Sequence, residues 1–593
     1  MTIDLGRPDA PDNHRDALAR RAEEQQRAAI AAPGPVYIRA CPGAGKTHVI
    51  TSRHLASPRQ SLRGGKALIS FTRAARDQMA RRCLLAGRAD LTRAPHFIGT
   101  LDSFLWEFLV RPGLPTTPTP RLLESWNKVK APIEQVDVSL ELGHFSLSIT
   151  ITPHGPAERV AWDNLKKRTT QLQQTSSYAR PWWEERIRAA RDTWHTQGYY
   201  TGHEARLRAL HHLRTPRAAE RFLQPLRSRF AEIVVDEAQD CSAADLTILQ
   251  RLHLSGMPIV LVGDPDQAIY SWRGAAPTAL ERFAATLPRE PLLMTGNRRS
   301  TPTICRLAAT LRTGNRPPDD AVVRRDDIPI AVIPTDFSAS GGNHRHHSGK
   351  SLAVDVFLEH AATCAIAPKD SLVTTYQHTH LPLHRDDSHA NSITALAQAH
   401  AIVRSPHAMP TEIADATALA SRTLLNYWFP DASGSIEHIC ANQGLGVEHL
   451  HRTAHAFLHT LPPPHPDWAT DLWQATKSWP SPPGARPARG KGRLGSKPTI
   501  PRQRALSATS RQVRFAVIHQ VKGEEADAVF FLLPKEGSVR RWIDADPAQD
   551  ETLRVWYVAA TRARRLLAIG VRSEETPQLT AHLTAHRIAH TVL

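Results

Sequence analysis

Short, almost unbroken apolar runs recur along this chain, separated by longer polar stretches. The runs at residues 36–40, 67–71, 233–236 and 259–263 are β-branched or apolar and give way to polar or glycine residues. Continuous rather than alternating hydrophobicity predicts parallel strands buried on both faces. A helix is predicted over 22–32, ahead of the first run, and another from near Lys46, after a glycine-rich loop. A second series starts near Pro291, with strands predicted at 330–333, 371–375, 528–533 and 566–571. Residues 105–215 and 386–510 interrupt the two series and read as mainly helical inserts. The expected fold class is α/β, with two parallel-sheet lobes, 21–104 plus 216–290 and 291–385 plus 511–593, each carrying an insert. Residues 1–20 have no apolar period and predict disorder.

Composition narrows the partners. Lys and Arg exceed Asp and Glu by 74 to 57, a formal charge of +17. That balance favours a polyanion, nucleic acid before membrane, although an Arg-rich solvated surface has the same signature. The second insert ends in a stretch, 472–523, with eleven Lys or Arg and no acid. It reads as a flexible basic linker that either touches phosphates or is simply solvated. The six cysteines form no C-x-x-C pair, which points to reduced thiols in the cytoplasm. No apolar run approaches the roughly 18 residues of a membrane span. His344, His346 and His347 are close together in a Gly/Ser-rich stretch, either a metal site or a solvated loop.

The candidate chemistry lies where the predicted strands end. Residues 40–47, A-C-P-G-A-G-K-T, fit a phosphate-binding loop in which Ala40 replaces the first glycine. Gly43, Ala44 and Gly45 let backbone N–H groups face a phosphate. Lys46 reaches the β- and γ-phosphates of ATP, and the Thr47 hydroxyl ligates Mg²⁺. Asp236 ends a strand in V-V-D-E-A-Q-D (234–240) and is the second candidate Mg²⁺ residue, while Glu237 is placed to orient or deprotonate the attacking water. Gln267 follows another strand end and is a candidate γ-phosphate sensor, as is Gln239. Arg299 and Arg562 lie in the second series; they either reach across a cleft to the γ-phosphate or are surface arginines. Tyr270 and Trp272, followed by Arg273, either stack on bases or pack between the lobes. Phe71 and Thr100 are placed to line the same groove, whereas Phe104 reads as core.

Taken in order, these segments resemble the superfamily 1 helicases of the UvrD/PcrA/Rep group, most specifically at G-D-P-D-Q-A-I-Y-S-W-R-G-A (263–275). The resemblance spans both α/β series. It implies two RecA-like lobes, each with an insert, and ATP-driven 3′→5′ translocation on single-stranded DNA, usually with duplex unwinding. It makes Gln26 an adenine reader, Glu525 a ribose contact, and residues 69–79 and 97–104 DNA-contact motifs. The chain departs from the pattern at three places. Arg298 replaces the tyrosine that stacks on adenine, although a guanidinium plane also stacks on a base. Glu524 and Ala526 are unusual neighbours of Glu525, and Asp102 replaces a DNA-contacting histidine. Gly444-Leu445-Gly446 resembles a helix-hairpin-helix turn suited to duplex phosphate.

Three functions fit these residues: a repair or restart helicase acting on single-stranded or partly duplex DNA; a translocase subunit serving a partner nuclease in phage defence; and a non-motor nucleic-acid-binding protein with a decayed site. The intact Lys46, Thr47, Asp236, Glu237, Gln267 and Arg562 argue against decay.

Overall fold

The computed structural model describes all residues except 1–9, 59–63, 127–132, 134–141, 146, 153–154, 162–178, 272–273, 315, 336–347, 377–395, 397–398, 405–409, 430–435, 463–467, 469–470, 472–473, 476–480 and 486–512. The histidine-rich stretch, Trp272 with Arg273, and most of the basic linker therefore lie outside the described residues.

Two six-stranded parallel sheets organise the molecule. The first contains β1 (Val36–Ala40), β2 (Gly65–Ser70), β3 (Phe97–Thr100), β4 (Phe230–Val235), β5 (Ile259–Gly263) and β6 (Leu292–Met294), in the order β6-β1-β5-β4-β2-β3. The second contains β7 (Ile330–Thr335), β8 (Ser371–Thr375), β9 (Arg514–Val517), β10 (Ala526–Leu533), β11 (Ala563–Arg572) and β12 (His590–Val592), in the order β9-β8-β10-β11-β7-β12. Numbered within its own half, each sheet reads 6-1-5-4-2-3, so the halves share one strand order without a sequence repeat.

The apolar runs explain this architecture. Tyr37, Ile69, Ile233 and Leu261 face one core of the first sheet, while Ile38, Leu68, Val234 and Val260 face the other. The second sheet divides in the same way, with Val332, Val529 and Phe531 on one side and Ile333, Ala528 and Phe530 on the other. Because successive side chains point to opposite faces, a strand covered on both sides must be apolar at every position. Its carboxyl end is where the run stops and polar chemistry begins.

The structure corrects several expectations. Helix α1 runs from Ala10 to Ala31, so residues 10–20 are helical rather than disordered; the alanine-rich A-L-A-R-R-A-E-E segment carries the helix back toward the N-terminus. Strand β6, placed by sequence in the second series, pairs with β1 in the first sheet. Residues 97–100, for which no strand was expected, form β3 at the edge of the first sheet. The first insert also contains a β-hairpin, Leu147–Thr152 against Gly155–Val160, besides helices such as Ala179–Thr196. The second insert packs helices Pro410–Trp428 and Val447–Thr460 around its own core, which includes Leu424, Phe457 and Trp468. Among the described residues, no helix is long and apolar enough to cross a membrane.

Candidate nucleotide-binding cleft

The glycine loop leaves β1 and enters helix α2 (Lys46–Leu55). Gly43 and Gly45 take φ of 74° and 88°, a region costly for any residue with a Cβ. Gly45 occupies the N-cap of α2, and no side chain caps the helix. Its first N–H groups are therefore available to an anion. The Gln26 amide donates to the Ala44 carbonyl at 2.6 Å, placing α1 against the loop. Thr47 sits in the first turn of α2, where its carbonyl accepts from Thr51.

The ends of β4 and β5 supply the polar cluster opposite this loop. Lys46 Nζ lies 3.6 Å from Glu237 Oε2. The same oxygen accepts from Gln239 at 2.5 Å, and Gln239 Oε1 accepts the Asp264 N–H at 3.0 Å. Gln267 donates to Asp264 at 2.9 Å. Glu237 has a φ of 50°, an uncommon conformation for a residue with a side chain. Its carboxyl is held near a pKa of about 2: burial opposes ionisation, but Lys46, Lys522 and the Gln239 hydrogen bond outweigh it. Asp236 is driven the other way, to about 7, by burial and by the charge of Glu237.

That contrast tests the fit to Mg²⁺ and ATP. Asp236 is a buried carboxylate whose charge is only partly offset by Lys46, the first residue of the uncapped helix α2. No cluster of three or more ligating side chains exists among the described residues. A magnesium ion here would complete its shell with phosphate oxygens and water, its usual habit at such sites. The residues present fit the nucleotide and its metal together.

The second sheet contributes from the other side. The Arg298 N–H donates to the Gly43 carbonyl at 3.0 Å, bringing the 296–300 segment against the loop. Arg299 Nε contacts Glu525 at 2.6 Å, and its Nη1 donates to the Thr561 carbonyl. Arg562 is 1% exposed and donates to the Val558 carbonyl at 2.8 Å and to Gln267 Oε1 at 3.4 Å. Burial and the neighbouring Arg299 lower its pKa to about 9. Lys46, Glu237, Gln267 and Arg562 thus form one connected cluster spanning both halves. Asp264 joins it, accepting from Tyr557 at 3.2 Å as well as from Gln267. Sequence reasoning passed over Asp264, although it stands where the apolar run of β5 ends.

The proposed DNA track is less open. Phe71 is half-buried against the first-sheet core. Thr100 caps the short helix after β3, accepting the Ser103 N–H at 3.2 Å. Phe104 is fully buried, as expected. Tyr270 packs between the lobes, with its hydroxyl 3.3 Å from the His519 carbonyl and its ring 4.7 Å from Lys522 Nζ. Asp102 does not stand unpaired beside a DNA path: it contacts Arg206 of the first insert at 2.8 Å, and Arg206 also binds Asp245. Gly444 takes a φ of 65° in the turn between helices Ile436–Asn442 and Val447–Thr460, beside a cavity of about 470 Å³ lined in part by Trp428 and His449.

Comparison with known proteins agrees with this geometry. Residues 22–288 match the UvrD/REP helicase N-terminal domain family, and residues 501–574 match the UvrD-like helicase C-terminal domain family. DNA helicase II of Haemophilus influenzae is 27% identical over 307 residues, covering 49% of this chain and 40% of that protein. DNA helicase II of Escherichia coli K12 is 37% identical over 94 residues, 16% of this chain and 13% of that protein. ATP-dependent DNA helicase PcrA of Bacillus subtilis is 31% identical over 147 residues, 23% of this chain and 20% of that protein. The matched regions thus cover from 13% to 40% of these relatives' lengths.

Proposed function

The chain belongs to the UvrD/PcrA/Rep-like superfamily 1 helicases, and from that premise we propose that it hydrolyses ATP to move 3′→5′ along single-stranded DNA, separating duplex ahead of it. The observation that carries this reading is the cluster in which Lys46, Glu237, Gln267 and Arg562 meet across the two lobes. A site assembled from both lobes changes when they move, which is what a motor requires of its fuel.

In this proposal the N–H groups of Gly43, Ala44 and Gly45 cradle the phosphates and Lys46 neutralises the β- and γ-oxygens. Thr47 and Asp236 would hold a magnesium ion, which would supply positive charge against the phosphates. Glu237 orients a water for in-line attack and accepts its proton as the bond to ADP breaks. Gln267 reads the γ-phosphate, and Arg299 and Arg562 meet the charge that develops on it. Gln26 and Arg298 contact the base, and Glu525 the ribose. Tyr270, Trp272 and Arg273, with Phe71 and Thr100, form the track for single-stranded DNA.

A second reading keeps the ATPase and assigns it to a translocase working with a nuclease. Two relatives are RecBCD enzyme subunit RecB, a part of a larger enzyme, which favours a partner. ATP turnover measured with and without single-stranded DNA, at low and moderate salt, tests the motor itself. Salt-sensitive stimulation supports it, and no turnover refutes it. Strand separation on a duplex with a 3′ tail, but not with a 5′ tail, supports the helicase. DNA-stimulated turnover without separation supports the translocase.

A further inference from the structure

Beside the glycine loop, helix α1 and residues 295–298 form two walls whose polar groups are only partly used. The Gln25 amide joins the walls: its Nε2 donates to Thr295 Oγ1 at 3.0 Å, and its Oε1 accepts the Thr295 N–H at 2.9 Å. Ala22 and Gln26, four residues apart, share a face of α1. Ala22 is buried against Gly296, where an added Cβ would run into the alanine and stand 3.8 Å from Arg298 Nη1. The Arg298 side chain therefore lies back beside Gly296, while its N–H reaches the Gly43 carbonyl. Gln26 lies over the loop from the other wall, since a Cβ on Gly45 would stand 2.5 Å from its Nε2. The two side chains differ in what they still offer a ligand. Gln26 spends an amide N–H on the Ala44 carbonyl at 2.6 Å, which ties the amide to the loop. The half-buried Arg298 guanidinium makes no hydrogen bond or ion pair among the described residues.

We propose that Arg298 is a specificity-determining residue that opens this site to GTP, which binds at least as tightly as ATP. A nucleotide with its phosphates on the 43–45 loop has Gln26 and Arg298 as its polar neighbours beyond that loop. A guanidinium carries donors and no acceptor. Guanine presents two acceptors side by side, O6 and N7, and an arginine fork pairs with both at once. Adenine sets its N6 amino donor beside N7, so the same fork gains one hydrogen bond and meets a donor with the other arm. The side chain suited to the adenine edge is an amide free to give and take together. Gln26 is of that type, but its amide is fastened to the Ala44 carbonyl. Its carbonyl oxygen accepts from an amino group, which adenine carries at N6 and guanine at N2, so it does not restore a preference for adenine. Cytosine presents only its N4 donor on the corresponding edge and gives Arg298 nothing to pair with.

This inference rests on the nucleotide-site half of the motor reading, and the experiment separates the two. A fluorescent N-methylanthraniloyl-ADP bound to the full chain with Mg²⁺ is displaced by unlabelled ATP, GTP or CTP, and the same titrations are made on Arg298→Gln. Each protein is scored by its ratio of GTP to ATP affinity, which a fraction of misfolded material does not move. In the unaltered chain GTP is expected to displace the probe at least as well as ATP, and CTP at least about tenfold less well. Arg298→Gln, whose amide suits the adenine edge, is expected to move the ratio toward ATP by about tenfold. GTP weaker than ATP by more than about tenfold in the unaltered chain would overturn the inference. So would CTP binding as well as the purines, which would mean that the base is not read. A ratio unmoved by Arg298→Gln would overturn it too, because the guanidinium would then only stack on the base. Turnover of ATP and GTP with and without oligo(dT) tests the motor separately. No turnover of either would sink the motor reading, while the order of affinities would still decide the inference. No binding of any nucleotide would sink both.

Discussion

Arg299 Nε lies 2.6 Å from a carboxylate oxygen of Glu525, while the other oxygen of that carboxylate accepts from Arg564. One half-exposed acid thus holds two arginines of the second lobe at the mouth of the cleft. Burial would raise the Glu525 pKa, but Arg564 and Arg299 hold it below the ordinary carboxylate value. If Glu525 also contacts the ribose, it must exchange a guanidinium for a sugar hydroxyl when the nucleotide enters. Glu525→Gln should then raise the KM for ATP by about tenfold, the size of one hydrogen bond to a charged group. Stability should change by less than ~1 kcal/mol, because the pair is partly solvated. Steady-state kinetics and thermal unfolding of the same preparation check both; an unaltered KM would mean that Glu525 serves only to restrain the arginines.

Arg562 carries a different burden. It is almost wholly buried, yet its guanidinium still reaches Gln267, so its charge is held ready in a poorly solvated place. Charge kept out of water acts strongly on a developing phosphoryl charge. Arg562→Ala should lower kcat by ~10³-fold or more, in the range measured for arginine fingers. Arg562→Lys should not restore it, because an ammonium lacks the fork that spans the Val558 carbonyl and the glutamine at once. Fluorescent-nucleotide titration should find binding retained in both variants. A kcat within about tenfold of the unaltered chain would remove Arg562 from the reaction.

Gly43 shows how tightly the two lobes meet at the loop. A Cβ built there would stand 2.6 Å from Asn297 Oδ1 and 2.7 Å from Arg299 Cβ, on a backbone with φ of 74°. Gly43→Ala therefore strains the loop and pushes the 296–300 segment away. The expected result is a loss of ~1–3 kcal/mol of stability together with much weaker ATP binding. Gly87→Ala, also at positive φ but with nothing within 4 Å of the added Cβ, should carry the backbone penalty alone. Nucleotide titration of the two variants separates the steric effect from the conformational one; equal ATP affinity in both would mean that the 296–300 segment yields without cost.

The parts legible in the sequence were those governed by local rules. Strands covered on both faces must be apolar throughout, so β1, β5 and β8 could be read directly, and the glycine loop follows from the backbone geometry that phosphate binding demands. Strand β6, only three residues long, gave no such signal, and its place in the first sheet is set by pairing with β1. The hairpin after residue 147 had a visible alternation of Leu147, Ile149 and Ile151 with hydroxyl residues, which was outweighed by the helical stretches around it. The partners of Asp102 and Lys522 could not be read, because Arg206 and Asp240 are distant in sequence and meet them only after folding. Arg298 and Arg299 each carry a candidate role in the sequence, but their contacts with Gly43 and Glu525 depend on how the lobes meet.

His54 makes the first lobe sensitive to acid at a point remote from the ATP cluster. It is fully buried in α2, with Nε2 3.0 Å from the Leu91 carbonyl and its ring edge-on to His96 at 4.9 Å. Burial above all, opposed by the Leu91 hydrogen bond but reinforced by His96, Lys66 and Arg88, lowers its pKa to about 4. In the unfolded chain a histidine titrates near 6.5. Between those values the unfolded state binds the extra proton, so this contribution to stability is complete above the unfolded pKa and is lost as the pH falls toward the folded one. The expected loss is about 2 kcal/mol between about pH 7 and about pH 5. Other groups titrate in this window, and Asp236 has the opposite sign because its pKa is raised. The comparison is therefore with His54→Gln, which keeps a donor for the Leu91 carbonyl and cannot take up a proton. Denaturant unfolding of both proteins across the window should give a difference that shrinks steadily as the pH falls; a constant difference would mean that His54 is protonated in the folded lobe or stays neutral in both states.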